Sequence, residues 1–453
     1  MAKYICTRFD MTTHFNGEYT MKRRHFLATS LALGTALCFR KSAPEVYAQN
    51  LADIPGVKDL TVPLRQLTHE PGFHWFGYYD KLQFDPTSRY VLGMRTDIDK
   101  RLIETSDKLE IGLIDLENGD RWQKLGETTA WSWQQGCMLQ WVPGSGEEVI
   151  WNDRQDGQYV SRVCNVKTGK TRTLPKAVYA LSPDGTWAVG TEFSRIDQLR
   201  PGYGYVGIAD PYFDVKTPDE IGIYRMDLKT GQDKLIASLG ELARIPHNGQ
   251  DVTDNFHWFN HLLVNTDGTR ITFLHRWRKE RGDRQAMAAG GWTTRMFTLD
   301  PDGKEPYLIN SSGYVSHFVW ADPRHIAAFV KADGTNWRLY LLEDKTGKLT
   351  PIGPDKVTAD GHNTFIPGTD NRWVLNDTYP SGAERLQTLY LYDRDTDHRF
   401  DLGRFFEPPE FTREWRVDLH ARTSPDGKKI CFDSTHTGQR QMHLINLSNF
   451  ALQ

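Results

Sequence analysis

The chain has 453 residues, with 55 Lys and Arg against 58 Asp and Glu and a net charge of −3. That balance, with no basic block and no acidic tail, argues against nucleic acid as a partner. Beyond residue 48 no apolar run approaches the roughly 18 residues that a membrane-spanning helix needs, so no membrane association is expected there.

At the N-terminus, Met21-Lys22-Arg23-Arg24-His25-Phe26-Leu27 opens a small-residue apolar run from Ala28 to Leu37. Paired arginines before a mildly apolar stretch read as a twin-arginine export signal, with Val46-Tyr47-Ala48 as the cleavage site. Residues 1–20 do not resemble an export segment, which points to Met21 as the translation start. Cys38 follows Leu37, where lipidation wants a small residue, so none is expected. The expectation is therefore an extension and signal over 1–48, a single domain over 49–453, and a periplasmic or secreted location. Twin-arginine export carries folded proteins, often with a cofactor already bound. Of the five cysteines, Cys137, Cys164 and Cys431 lie beyond the cleavage site. Their scatter fits neither a disulfide framework nor a zinc motif, so buried free thiols are expected.

Along the rest of the chain one unit recurs. Ser424-Pro425-Asp426-Gly427 precedes a short apolar strand, and Ser182-Pro183-Asp184-Gly185 and Asn265-Thr266-Asp267-Gly268 do the same. Looser copies stand at Phe84-Asp85-Pro86, Val142-Pro143-Gly144, Ala321-Asp322-Pro323 and Ile366-Pro367-Gly368, making seven. Each leads into a second strand-and-turn, such as Val166-Lys167-Thr168-Gly169. Units of about 50 residues built from hairpins are four-stranded blades. The fold class predicted is all-β, a seven-bladed β-propeller. The last unit runs out near Leu447 one strand short, and 61–67 at the other end is placed to supply it and close the ring. Insertions at 195–220 and 276–292 are expected on one rim, where they shape a site.

Aligning the repeats brings out the histidines. His261, His317, His362 and His420 fall at one equivalent position, at the start of the innermost strand, in four successive units. Innermost strands line the central channel, so four imidazoles should converge there. Asp418, two residues before His420, shares its face. Converging imidazoles with a carboxylate suit a divalent transition metal. The alternative is a polar channel lining with each ring bonded to backbone or water. Phe73-His74-Trp75-Phe76 is echoed by Phe256-His257-Trp258-Phe259, which reads as a repeated brace, and His275-Arg276-Trp277-Arg278 adds positive charge at the rim.

The last unit, from His420 through Ser424-Pro425-Asp426-Gly427 to Asn446, resembles the final blade of oligogalacturonate lyases. The likeness runs from about residue 260 to 446. That family comprises seven-bladed propellers that hold a divalent metal, typically manganese, and cleave uronic-acid oligosaccharides by β-elimination. The resemblance implies metal ligands at His362 and, where the family has His-x-His, at Asp418-x-His420. The family's upstream glutamine ligand has no counterpart, so the shell is altered; His261 is a further candidate ligand. The resemblance also implies His317 as the base and Arg295 as the clamp for the substrate carboxylate. His275, Arg276, Tyr79 and Tyr203 are expected to contact substrate, and Tyr78, Tyr79 and Tyr203 are candidates for the proton donor. The chemistry is coherent: the proton α to an ionised carboxylate is not acidic, so a cation must neutralise that group while a neutral histidine takes the proton. The expected function is a metal-dependent lyase acting by β-elimination on uronic-acid-containing, pectin-like oligosaccharides, with a divalent metal as cofactor and manganese the one the resemblance suggests. The alternatives are an exported, non-catalytic binding propeller similar to TolB, and a glycoside hydrolase, which wants paired carboxylates.

Overall fold

The computed structural model describes residues 54–452; the expected signal and cleavage site lie outside the described residues. Seven antiparallel sheets follow one another along the chain, spanning 73–128, 140–174, 180–238, 256–313, 315–351, 364–406 and 422–446. The predicted seven-bladed β-propeller is what forms. The turn that marks each repeat has a physical cause. Ser182 Oγ accepts from the Trp187 amide (3.1 Å), Asn265 Oδ1 from Arg270 (2.9 Å) and Ser424 Oγ from Lys429 (2.9 Å). Asp85 plays the same part in the first blade, accepting from the Tyr90 amide at 2.7 Å. A short side chain that bonds the backbone five residues on closes the turn and launches the next strand. Gly185 then has φ 68°, and a Cβ there would stand 2.4 Å from the Pro143 carbonyl oxygen of the preceding blade. The turn thus needs glycine both for its conformation and for blade-to-blade packing.

The ring closes as expected. Leu64–Gln66 pairs with Gln441–Asn446, Leu64 opposite Ile445, so the last blade takes its outer strand from the start of the domain. A second link was not legible: Val57–Lys58 adds a fifth strand to the sixth sheet, beside His398–Phe406. Closure continues toward the axis. The buried Arg422–Asp433 ion pair (3.0 Å) lets Asp433 accept from the amides of Phe76 (3.2 Å) and Gly77 (3.4 Å), anchoring the segment that leads to Tyr78.

Three short helices accompany the blades: α1 (Phe193–Leu199) and α3 (Arg284–Ala289) at the two insertions, and α2 (Leu239–Ala243) between the third and fourth sheets. The second insertion begins later than expected, because the strand Ile271–Arg278 continues through Arg276. Arg284 ties α1 to α3 and to the turn Arg413–Trp415, reaching Asp197 at 2.7 Å and Glu414 at 2.8 Å. Cys137, Cys164 and Cys431 are free and buried.

Candidate functional site

Two of the histidines lie on irregular inner strands, and His362 and His420 stand two residues ahead of the inner strands Thr364–Phe365 and Arg422–Thr423. Pairing skips between Asn260 and Leu263 and between Val315 and Phe318, which leaves His261 and His317 on bulges. His261 and His420 take positive φ, 52° and 43°, and Met138, at the equivalent place in the second blade, takes 56°. Left-handed backbone is strained for such residues, by about 1–2 kcal/mol each, and the closed ring sustains it. Ring centroids of His317 and His362, and of His362 and His420, are 4.1 Å apart.

The tightest group is His362, Asp418 and His420, whose ligand atoms lie within 4.8 Å of one another. The two Nε2 atoms are 3.1 Å apart, and Asp418 Oδ2 is 3.7 Å from that of His420. Asp377 organises them: it accepts from the His362 amide (2.8 Å), from His362 Nδ1 (2.8 Å) and from the His420 amide (3.0 Å). A carboxylate on Nδ1 turns the Nε2 lone pair into the site, as carboxylates bonded to the far nitrogen of metal-binding histidines do. Two imidazole lone pairs converging beside a carboxylate are a donor set that fits a divalent cation. Burial works against protonation of His362, but Asp377 outweighs it and raises the pKa. Burial and His362 hold His420 well below the ordinary range.

His317 stands next to this group. Its Nδ1 bonds Asp360 Oδ1 (3.1 Å) and faces Ser316 Oγ (3.1 Å), while Ser316 donates to Asp360 Oδ2 at 2.7 Å. That arrangement leaves Nε2 as the free nitrogen. Burial and the neighbouring His362 lower its pKa against the pull of Asp360, so the ring is neutral near pH 7.

Tyr78 is the pillar of the axis. Its ring lies 4.9 Å from His420, 5.2 Å from His261, 6.1 Å from His362 and 6.4 Å from His317. Its hydroxyl is buried without a hydrogen-bond partner, and burial lifts its pKa well above the phenol range. Tyr203 lies behind it, accepting from Arg416 Nη2 at 2.9 Å, while Arg416 Nε holds Asp418 at 2.9 Å. Burial pushes the Tyr203 phenol up, but Arg416 and Arg200 outweigh that and bring it down. Tyr379, half-buried, packs on His362 at 5.6 Å.

Several sequence-predicted residues do not join this site. His261 is separated from the ligand group, 6.5 Å from His317, and packs against Tyr78 instead. Arg295 is not a clamp: Nη1 is held by Ile245 O (2.7 Å), Nη2 by Leu242 O (2.7 Å) and Nε by His275 Nδ1 (3.3 Å), inside the fourth blade. His275 is fully buried in the same chain, with Nε2 2.8 Å from His257 Nδ1, so it meets no substrate either. Tyr79 lies under the imidazoles, but its hydroxyl donates to Phe318 O (3.0 Å) and accepts from the Phe318 amide (2.7 Å), which closes it to sugar. Arg276 and Tyr203 do face the axis. Asp377, Asp360, Arg416 and Tyr379 were missed: no repeat position marks them, and although Arg416 lies two residues from Asp418, Asp360 and Asp377 serve histidines 43 and 15 residues away.

No family model and no curated protein matches the chain. Among solved structures, the oligogalacturonate lyase of Vibrio parahaemolyticus superposes with a TM-score of 0.59 at 14% identity, over 86% of this chain and 95% of that one. An oligogalacturonate lyase in complex with manganese gives 0.57 at 15%, over 87% and 96%. At such identity the likeness establishes the shared seven-bladed architecture.

Proposed function

We propose that this protein is a metal-dependent lyase that cleaves uronic-acid-containing oligosaccharides by β-elimination after export to the periplasm or beyond. One observation carries the reading: a three-residue donor set, His362, Asp418 and His420, stands beside a neutral histidine with one nitrogen free. A divalent cation there, manganese being the expectation, would draw charge from the uronate carboxylate and so acidify the neighbouring C5 proton. His317 Nε2 then takes that proton, with Asp360 holding the ring and favouring its charged form. The electrons left at C5 form the C4=C5 double bond as the C4–O bond breaks. The departing oxygen needs a proton, and Tyr78, whose ring packs among all four imidazoles and whose hydroxyl has no partner, is the residue assigned to give it. The carboxylates nearest the axis, Asp360, Asp377 and Asp418, are each engaged with His or Arg, which supports elimination over the paired-carboxylate chemistry of hydrolases.

The test is elemental analysis of the folded protein paired with ultraviolet absorbance of the unsaturated uronate, on a panel of uronate oligosaccharides. Wild type should carry one metal per chain and raise the absorbance, and His362→Ala/His420→Ala should do neither. Metal without absorbance on any uronate would remove the lyase reading and keep the site.

A further inference from the structure

Three arginines sit beside the axial site with no acidic partner. Arg200, on the loop after α1, and Arg276 and Arg278, at the end of the strand Ile271–Arg278, are all more than nine-tenths buried. Their guanidinium carbons lie 4.3, 5.7 and 5.8 Å from the ring of Trp292, which is itself partly exposed. Other buried arginines have their donors taken up: Arg195 faces Asp210 at 3.1 Å, Arg422 faces Asp433, and Arg295 donates to three carbonyls. Here, among the described residues, no carboxylate pairs with the three; the groups acting on them most strongly are other cations and tyrosines, and Glu414, itself held by Arg284, acts on Arg200 from a distance. Arg200 Nη1 reaches the Ala288 carbonyl (2.9 Å) and Arg278 Nη2 that of Gly290 (2.7 Å), but the Nε atoms of both are buried and unpaired. Arg276 bonds Thr294 through Nε alone (3.1 Å), which leaves its two terminal nitrogens unpaired.

Gathering three cations away from water without a counter-charge is costly unless an anion completes the group. Guanidinium forks match planar or tetrahedral oxyanions, and cation–π contact with the indole holds them in place. The cluster is also continuous with the axis: the Arg200 guanidinium lies 4.2 Å from the ring of Tyr203, which stands 5.7 Å from His261 and 6.4 Å from Tyr78.

We propose that Arg200, Arg276 and Arg278 around Trp292 form a second anion subsite, which takes the carboxylate or sulfate of the sugar unit next to the one at His362, Asp418 and His420. The inference deepens the proposed function and rests on it for the word substrate, but the subsite's selectivity needs no metal. It explains why Arg295 is free to serve the blade interior. It also makes at least a disaccharide, acidic on both units, the preferred ligand.

The experiment is calorimetric titration of the full chain, treated with chelator so that no turnover occurs. The probes are digalacturonate, a neutral digalactose and a sulfated galactose disaccharide. Wild type should bind an acidic probe at least tenfold more tightly than the neutral one, with affinity falling as salt is raised. Arg276→Gln and Arg200→Gln should each weaken acidic binding 10- to 100-fold and leave neutral binding unchanged, and Arg276→Lys and Arg200→Lys should recover part of it. A larger preference for the sulfated probe, lost in the same variants, assigns the anion as sulfate. Equal binding of acidic and neutral probes by wild type, or wild-type acidic affinity in both glutamine variants, overturns the proposal. Should either glutamine variant fail to fold, its lysine variant and the salt dependence of wild type carry the test. Selectivity of this kind in a protein that, before chelator treatment, carries no metal by elemental analysis and takes up none from added manganese refutes the lyase reading and leaves the subsite standing.

Discussion

Replacing Asp377 with asparagine tests the metal reading at its support. The carboxylate is buried and accepts from three donors: two backbone amides, of His362 and His420, and His362 Nδ1. Asparagine keeps the shape but offers one acceptor oxygen, and its amide hydrogens must face a donor. One buried amide is then left unpaired, at a cost of about 1–3 kcal/mol. The His420 amide is the vulnerable one, because His420 already holds φ 43°. The charge on His362 Nδ1 is also lost, which loosens the ring and makes Nε2 a weaker donor. Outer-shell changes of this kind weaken metal binding by about 10- to 100-fold. The assay is competition with a chelator for manganese, run on wild type, Asp377→Asn and His261→Ala. Asp377→Asn should bind in the weakened range and unfold a few degrees lower, whereas His261→Ala should bind as wild type. Unchanged affinity in Asp377→Asn, or a loss in His261→Ala equal to that in Asp377→Asn, would refute the assignment.

Other consequences can be measured with the same protein. Tyr78→Phe should keep its metal and its fold while turnover on a uronate oligosaccharide falls by about 100-fold or more, the usual worth of a positioned proton donor; wild-type turnover would remove Tyr78 from the mechanism. Arg295→Met should lower the thermal midpoint, because three carbonyls and His275 lose their donor, yet the folded fraction should keep the wild-type KM. A raised KM at unchanged stability would restore Arg295 as a clamp. Burial holds His74, His257 and His436 down to about 4, so the unfolded chain binds protons that the folded one refuses. Stability is therefore full above about pH 6.5 and is lost as pH falls toward 4, by about 1.4 kcal/mol per unit for each ring. Urea midpoints at pH 7 and pH 5 read this directly, and equal midpoints would contradict it.

The periodic features were legible from residues alone. A side chain that closes each turn on a backbone amide must recur with each blade, so Ser182, Asn265 and Ser424 announce the repeat and its count. The strand missing after Leu447 had to come from somewhere, and the apolar 61–67 was the free segment. Equivalent positions in equivalent blades face the same axis, which is why His317, His362 and His420 could be brought together on paper.

Contacts that break the period were not legible. The equivalent position shared by the four histidines does not say that His261 packs on Tyr78 while its counterparts cluster, nor that Asp377 serves His362 and His420 together. Arg295 looked available because its sequence neighbours are a plain strand; in the folded chain the carbonyls of Leu242, Ile245 and Pro246 arrive from a connection some 50 residues upstream and consume it. Arg200 follows α1 in the third blade and Arg276 lies on a strand of the fourth, and only the packing of those two blades sets them around one indole. The sequence by itself determined what each blade must look like, since hydrogen bonding within a hairpin is local. The tertiary structure alone decided which polar groups remain unpaired at the axis, because that depends on every blade that crowds it.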